Sequence, residues 1–138
     1  MSDLERFVEA QDPAIDTVLA ELHDAQKRTH WMWFIFPQLR ALGRSDRAVF
    51  YGLADLAEAE AYFAHPVLGP RLLACTRAAM SGHPRTAHQI FASPDDMKFR
   101  SCMTLFSCVP EAPDLFGQAI ELFYDTPDPA TIELLGGD

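Results

Sequence analysis

Apolar residues recur at helical spacing along most of this chain. Ile15, Val18, Leu19 and Leu22 stand at positions i, i+3, i+4 and i+7, which is the pattern of a helix with one buried face. They predict an amphipathic helix over residues 14–27. Comparable patterns predict further helices before Pro13, over 55–64, through Leu72–Met80 as far as Gly82, from Ser93 to before Pro110, around 115–123 and from Asp128 to Gly136-Gly137.

Helix-start signals support these assignments. Asp55 and Glu58 have the spacing of a capping box, in which each end of the motif satisfies a free backbone N–H. Ser93 and Pro94 suit the N-cap and the first helical position, and two acids follow in the first turn, where the helix dipole favours negative charge. No segment demands a sheet. The sequence predicts an all-α fold, a compact single domain over 1–138 with about six to eight helices in a bundle.

The stretch HWMWFIFPQ, residues 30–38, contains six consecutive apolar residues, four of them aromatic. Each such side chain gains roughly 1.5–3 kcal/mol on full burial, so the run belongs at the centre of the core. Its periodicity does not distinguish helix from strand, although Pro37 must end any helix there. If the run is extended, Trp31 and Trp33 lie on opposite sides. One tryptophan then packs in the core, and we expect the other either to pack there too or to line a pocket.

The composition indicates an ordinary globular protein, with 49% hydrophobic and 22% charged residues. The longest apolar run is far shorter than the roughly 20 residues of a membrane-spanning helix, and the acidic N-terminus lacks a secretory signal. We therefore expect a cytoplasmic protein with no membrane partner. The 3 cysteines form no Cys-x-x-Cys pair and predict buried reduced thiols. We expect no metal site and no cofactor.

The net charge of −9 argues against binding to a nucleic-acid backbone. The charges are nevertheless segregated, because residues 25–45 and 61–94 contain no acid, whereas no lysine or arginine follows Arg100. The two basic segments either form a local positive pocket for a small anion or neutralise the acidic helices. Both interpretations remain open at this point.

Candidate chemistry lies in two segments, 30–38 and 94–106. His30 either serves as an acid or base near neutral pH or makes a structural hydrogen bond. Gln38 either contacts a ligand or caps the next turn. On the predicted helix, Asp95 and Lys98 stand three residues apart beside a buried face, where desolvation suits a lysine to base or anion-clamp roles; helix stabilisation is the alternative. For Asp96 and Arg100 we expect an ordinary i, i+4 ion pair.

The strings KRTHWMWFIFPQ (27–38), HPVLGPRL (65–72) and DDMKFRSCMTLF (95–106) resemble the bacterial domain of unknown function 1810 family. The resemblance runs from the first helix to about residue 135 and implies an all-helical fold. Members are often labelled calpastatin, but an inhibitor of that type is a disordered repeat protein, whereas this chain is repeat-free and rich in core aromatics. The motifs are also distantly similar to the helical NADAR proteins, which are associated with NAD and ADP-ribose metabolism.

These observations lead to one hypothesis and two alternatives. The hypothesis is one pocket for a small anionic, nucleotide-like molecule of the ADP-ribose type, in a hydrolase or transferase acting at a ribosyl or similar centre. The alternatives are a non-catalytic protein-interaction module that uses the acidic segment 111–138, and a purely structural network of buried polar groups. The residues that the hypothesis assigns are His30, Asp95 and Lys98 to catalysis, and Trp33, Gln38, Arg71 and Arg100 to ligand binding.

Overall fold

The computed structural model describes residues 3–136, which are helical apart from turns, loops and one isolated parallel bridge between Leu39 and Leu53. The all-α prediction is confirmed. A 3₁₀ turn covers Arg40–Leu42. The ten α-helices of the described chain are α1 (Glu5–Gln11), α2 (Ile15–His23), α3 (Met32–Ile35), α4 (Asp46–Phe50), α5 (Leu56–Ala64), α6 (Leu68–Met80), α7 (Ala87–Phe91), α8 (Asp95–Ser107), α9 (Leu115–Phe123) and α10 (Pro129–Leu134).

The predicted number of helices is too low, because three helices are very short. Helix α3 has 4 residues, and α4 and α7 have 5 each. A helix of about one turn places too few side chains on one face to leave a readable period. At the other end of the chain, α10 stops at Leu134 rather than at the predicted Gly136-Gly137, of which Gly137 lies outside the described residues.

The caps agree with the prediction at one helix and differ at another. The Asp55 side chain accepts a hydrogen bond from the Glu58 backbone N–H at 2.9 Å, and the Glu58 carboxylate accepts the Ala54 N–H at 2.8 Å. The Glu58 contact therefore falls one residue earlier than in a standard capping box. Helix α8 begins at Asp95 after Pro94, and no side chain caps its N-terminus, so Ser93 is not the N-cap we expected.

The expected ion pair within α8 does not form either. The Asp96 carboxylate lies 3.4 Å from the His88 ring of α7, and the Arg100 guanidinium donates instead to the backbone oxygens of Thr126 and Pro127 at 3.0 and 3.1 Å. Tertiary partners have replaced the local one, because an i, i+4 pair at a helix surface contributes only a few tenths of a kcal/mol.

The aromatic run folds as a short helix with an exposed side. Trp31, Met32, Ile35 and Phe36 are buried, whereas Trp33 and Phe34, which follow each other in α3, are half-buried. One tryptophan thus belongs to the core and the other lies nearer the surface. The run divides in this way because a single helical turn directs consecutive side chains to different sides.

Helix α8 lies at the centre of the fold and packs against α5, α7, α9 and α10. Its Phe99 side chain is fully buried, with the Phe36 ring edge-on at 4.8 Å and the Phe91 ring stacked at 4.8 Å. Lys98 and Ser101 flank Phe99 along the same helix. The buried face of α8 therefore fixes where these polar side chains point.

The segment between α3 and α5 folds back on itself. The Leu53 N–H donates to the Gln38 carbonyl at 2.9 Å and the Arg40 N–H donates to the Leu53 carbonyl at 2.8 Å. Gly52 allows this approach, because a Cβ atom there would come within 2.4 Å of the Arg40 Cα. Within the fold-back, the Ser45 hydroxyl caps α4 by accepting the Ala48 N–H at 3.2 Å.

No helix of the described residues is long and apolar enough to cross a membrane. Cys75 and Cys102 are buried free thiols and Cys108 is a half-buried one. Burial raises the pKa of the Cys75 thiol to about 12. Cys75 is therefore a packing residue, in keeping with the small apolar role expected for the thiols.

A buried carboxylate orders the chain just before the aromatic run. Glu21 of α2, 5% exposed, accepts hydrogen bonds from the backbone N–H groups of Arg28 and Thr29, from the Thr29 hydroxyl and from the Trp31 indole. Burial by itself raises the pKa of Glu21, but these bonds, led by the Arg28 N–H, outweigh it and lower the pKa to about 2. The ionised carboxylate therefore determines where Trp31 enters the core.

We predict that Glu21→Gln lowers the free energy of unfolding by on the order of 2 kcal/mol near neutral pH. Because the pKa of Glu21 is lowered on folding, its stabilisation is complete above the pKa of an unfolded glutamate, about 4.3, and declines as the pH falls toward about 2. Urea unfolding of both proteins from about pH 6 to about pH 3 measures the difference. The exposed Glu60→Gln is the control, and a stability difference between the wild type and Glu21→Gln that does not change with pH would contradict the assignment.

Candidate functional site

A cleft of about 360 Å³ opens between the first half of α8, the 38–48 segment and the start of α10. We call it the Lys98 cleft. Its walls combine two cations with hydroxyls, an amide, a carboxylate and several apolar side chains. The residues that line it are Gln38, Leu42, Arg44, Ser45, Ala48, Pro94, Met97, Lys98, Ser101, Asp128 and Ala130.

Behind the wall of the cleft, one carboxylate is shared between two lysines. The Asp95 carboxylate lies 3.0 Å from the Lys27 ammonium and 3.7 Å from the Lys98 ammonium. The Lys27 side chain is 8% exposed and the Lys98 side chain 25% exposed. The single negative charge of Asp95 thus faces two ammonium groups. Because the contact with Lys27 is the shorter one, Asp95 pairs mainly with Lys27. Lys98 therefore retains an excess of positive charge at the cleft wall.

The Trp33 ring makes a cation–π contact with the Lys98 ammonium. The Lys98 ammonium lies 5.6 Å from the centre of the Trp33 ring, and the Arg47 guanidinium of α4 lies 5.3 Å from it. Both distances are within the range of a cation–π contact. The Trp33 indole N–H is buried and has no acceptor among the described residues. Trp33 holds two cations in place instead of presenting a free ring face to the cleft.

A hydrogen-bonded network forms the far side of the cleft. The buried Asp128 carboxylate accepts the Ser101 hydroxyl at 3.0 Å, and the Thr131 hydroxyl and backbone N–H at 2.5 and 3.2 Å. The Thr104 hydroxyl accepts the Asp128 N–H at 2.8 Å. Asp128 therefore joins α8 to α10, and uncharged donors hold its carboxylate in place.

A larger recess, of about 580 Å³, lies at Arg6, Arg40 and Glu58. The charged side chains of this recess already form ion pairs with one another. The Glu58 carboxylate lies 3.8 Å from Arg6 and 4.0 Å from Arg40, and Arg6 also donates to the Gly52 carbonyl at 3.2 Å. We take the smaller Lys98 cleft as the candidate site, because the two cations of its lining, Arg44 and Lys98, outnumber its one carboxylate, Asp128, whereas the larger recess also contains Asp3 and Asp55.

The structure brings together four of the residues assigned from sequence. Lys98 and Gln38 line the cleft, and Asp95 and Trp33 contact Lys98 from behind the wall. His30, which the sequence hypothesis assigned to catalysis, is exposed and does not belong to the lining.

The two arginines assigned to ligand binding lie outside the cleft. Arg71 of α6 pairs with Asp12 at 2.9 Å and donates to the Gln11 side chain at 3.5 Å. Arg100 holds the 124–127 turn through its bonds to Thr126 and Pro127 and its contact with the Tyr124 ring at 5.8 Å. Both guanidinium groups are thus engaged within the protein.

Sequence reasoning missed part of the lining. The sequence assigned no role to Arg44 or Ser45, which both belong to the acid-free segment 25–45, and Asp128 was only the predicted start of the last helix. The absence of acids over 25–45 is the signal that could have drawn attention to Arg44. No cluster of metal-ligating side chains occurs within residues 3–136, and the donor set of the cleft, rich in cations, suits an anion instead.

Comparison with known proteins identifies relatives without an assigned activity. Residues 1–135 match the family model described as a protein of unknown function (DUF1810). Among solved structures, the chain is similar to the conserved hypothetical protein Rv1873 from Mycobacterium tuberculosis, with 46% identity, a TM-score of 0.94 and 96% of each chain covered. No curated protein matches the chain.

We predict that Asp128→Ala lowers the free energy of unfolding by about 2 kcal/mol, because it leaves the buried hydroxyl and backbone N–H of Thr131 unsatisfied. Denaturant unfolding measures the loss. Asp114→Ala is the matched control, since Asp114 is exposed at the start of α9 and caps nothing with its side chain. Equal stabilities of the two variants would show that the Asp128 network does not tie α10 to α8.

Proposed function

The chain belongs to the DUF1810 family, and from the geometry of the Lys98 cleft we propose that it binds a small anionic molecule of the nucleotide type. The observation that carries the proposal is the Lys27–Asp95–Lys98 arrangement. Two half-buried or buried ammonium groups share one carboxylate, in a protein whose net charge is −9. A partly desolvated cation without a full counter-charge is costly. A bound anion would supply that counter-charge.

The other lining residues suit a phosphate-bearing ligand. Arg44 lies at an exposed position of the wall, and no carboxylate of the described residues comes within ion-pair distance of it. Its planar guanidinium matches a phosphate bidentately. The Ser45 hydroxyl accepts from the backbone of α4 and keeps its own O–H as a donor. Gln38 adds an amide donor and acceptor.

The apolar part of the lining limits the choice of anion. Leu42, Ala48, Met97 and Ala130 contribute carbon surface beside the two cations. An inorganic ion alone would leave this surface in water, whereas a ligand with both a charged and an apolar part would cover it. We therefore propose an organic phosphate over an inorganic one, and ADP-ribose is the probe that the sequence resemblance suggests.

A hydrolytic or transfer reaction at a ribosyl centre is the chemistry that fits this proposal. Lys98 would then provide the positive charge that stabilises the phosphate, and Asp95, 3.7 Å from Lys98 and behind the cleft wall, would be the carboxylate nearest to that charge. Incubation with ADP-ribose, followed by chromatography of the products, tests for the reaction. Product formation by the wild type that persists unchanged in Asp95→Asn would exclude Asp95 from the chemistry.

The alternative function, a protein-interaction module, has its own observation. In the 111–138 segment Glu111, Asp114, Glu121 and Asp125 are exposed, and Leu122 is 36% exposed beside Glu121. Such an acidic surface would suit a basic partner. Charge reversal at Glu121 would abolish capture of that partner, and Lys98→Met would leave it unchanged.

For the anion site, we predict that Lys98→Met weakens binding of ADP-ribose and of inorganic pyrophosphate by at least about tenfold, equivalent to 1.4 kcal/mol. Methionine keeps most of the side-chain volume while removing the charge. Isothermal titration calorimetry at low ionic strength measures both affinities, and added salt should weaken them in the wild type.

Arg77→Met is the matched control, because Arg77 is an exposed cation on α6 outside the cleft. It should bind both probes as the wild type does. Absence of any binding by the wild type at millimolar concentration would overturn the proposal, as would equal losses of affinity in the Lys98→Met and Arg77→Met variants.

A further inference from the structure

A further recess lies on the other side of α4 from the Lys98 cleft. Its volume is about 370 Å³, at the lower end of the range of roughly 300–1,000 Å³ that is typical of small-molecule sites. It shares no lining residue with the Lys98 cleft and is therefore a separate site. We call it the aromatic groove, because its lining is mainly aromatic. The residues that line it are Trp33, Phe34, Asp46, Arg47, Phe50 and Tyr51.

Phe50 is the feature of this groove that core packing does not explain. Its side chain is 57% exposed, the most exposed large apolar residue among those described. The Phe50 ring meets Tyr51 edge-to-face at 4.8 Å, and Tyr51 meets Phe34 at 5.6 Å. Neighbouring aromatics thus position the Phe50 ring, yet most of its surface remains in water. A large exposed aromatic inside a recess is typical of a surface that receives a ligand.

Two opposite charges lie beside these rings. The Arg47 guanidinium lies over the Trp33 ring at 5.3 Å, and this cation–π contact holds it at the groove. Among residues 3–136, no carboxylate comes within ion-pair distance of Arg47 and no cation comes within that distance of Asp46. Both are exposed residues of α4 that line the groove. The groove thus offers a carboxylate and a guanidinium to a ligand.

This lining discriminates among small aromatic ligands. An aromatic carboxylate would pair with Arg47 but bring its own charge near the Asp46 carboxylate, and an aromatic amine would meet the opposite conflict at Arg47. A ligand that carries both an ammonium and a carboxylate has a complementary partner for each charge. The backbone of a free α-amino acid is such a zwitterion, and an aromatic side chain adds a ring that suits Phe50.

We propose that the aromatic groove binds a free aromatic α-amino acid. The ligand carboxylate pairs with Arg47, the ligand ammonium pairs with Asp46, and the ligand ring packs against Phe50 and Tyr51. The inference goes beyond the function proposed for the Lys98 cleft and does not depend on it, because no residue of that cleft lines the groove.

Calorimetric titration with L-phenylalanine tests the groove, and we expect binding in the millimolar range or tighter. Phe50→Ala should weaken this binding by at least about fivefold, the scale of a lost aromatic pair, and Phe50→Tyr should restore it. Arg47→Met and Asp46→Asn should each weaken it by about the same factor, because each removes the partner of one ligand charge.

Two matched controls separate these contacts from general effects of substitution. Val49 is a neighbouring residue of α4, 44% exposed, and Arg77 is an exposed cation of α6, and neither lines the groove. Val49→Ala and Arg77→Met should therefore bind L-phenylalanine as the wild type does. Circular dichroism on every variant checks that the helices are retained, as expected for substitutions at exposed positions.

Two analogues distinguish a free amino acid from the end of a peptide chain. L-phenylalaninamide keeps the ammonium and lacks the carboxylate, like an N-terminal residue, whereas N-acetyl-L-phenylalanine keeps the carboxylate and lacks the ammonium, like a C-terminal residue. Each should bind at least about fivefold more weakly than L-phenylalanine, because each leaves one charge of the groove without its partner.

The two tryptophans of the chain locate the bound ligand. Trp33 lines the groove, whereas Trp31 is buried and its indole donates to Glu21. Proton–nitrogen correlation NMR resolves the two indole N–H signals, and Trp33→Phe assigns them by removing one. L-phenylalanine should shift the Trp33 signal and leave the Trp31 signal in place.

Absence of L-phenylalanine binding at millimolar concentration would overturn the proposal, as would an affinity that Phe50→Ala leaves unchanged. Binding of either analogue as tightly as L-phenylalanine would also contradict it, since the groove would then read a chain end or a ring alone. None of these results bears on anion binding at the Lys98 cleft, which is measured with different ligands.

Discussion

The buried Glu21 carboxylate is the interaction on which the arrangement of this fold depends. It gathers four donors from residues 28–31 and so determines where the aromatic run enters the core. Trp31 is bound directly, and the turn that follows carries Trp33 to the surface beside α8. The same ordered segment begins at Lys27, which reaches Asp95. A carboxylate that does not line the cleft thereby helps to position two of the side chains behind its wall, Lys27 and Trp33.

The region around the Lys98 cleft contains more cationic than anionic side chains. Lys27 and Lys98 share Asp95, while Arg44 and Arg47 have no carboxylate within ion-pair distance among the described residues. The protein as a whole is acidic, so the cations of this region form a local exception that attracts anions. Asp128 offsets one of these charges, and hydrogen bonds from Ser101 and Thr131 hold its carboxylate in place.

Helix α4 separates two recesses of different chemistry. One side of this five-residue helix faces the Lys98 cleft, and the other carries Phe50 into a recess that Trp33, Phe34 and Tyr51 also line. The helix is held by the Ser45 cap and by the fold-back at Gly52, where a side chain would collide with Arg40. The backbone contact that shapes this segment is therefore also what places the two recesses side by side.

The sequence by itself determined the helical class, the positions of the longer helices and the burial of most of the aromatic run, because periodicity and caps are local properties. It also indicated Lys98, Asp95, Trp33 and Gln38, which the structure groups at one cleft. Only the tertiary structure decided that Arg71 and Arg100 have partners within the protein, that His30 is exposed, and that Arg44, Arg47 and Phe50 stand around α4. A helix of one turn is too short to show a hydrophobic period in the sequence. The partner of a long charged side chain depends on which distant segments of the chain lie next to it, and the packing of the whole core decides that.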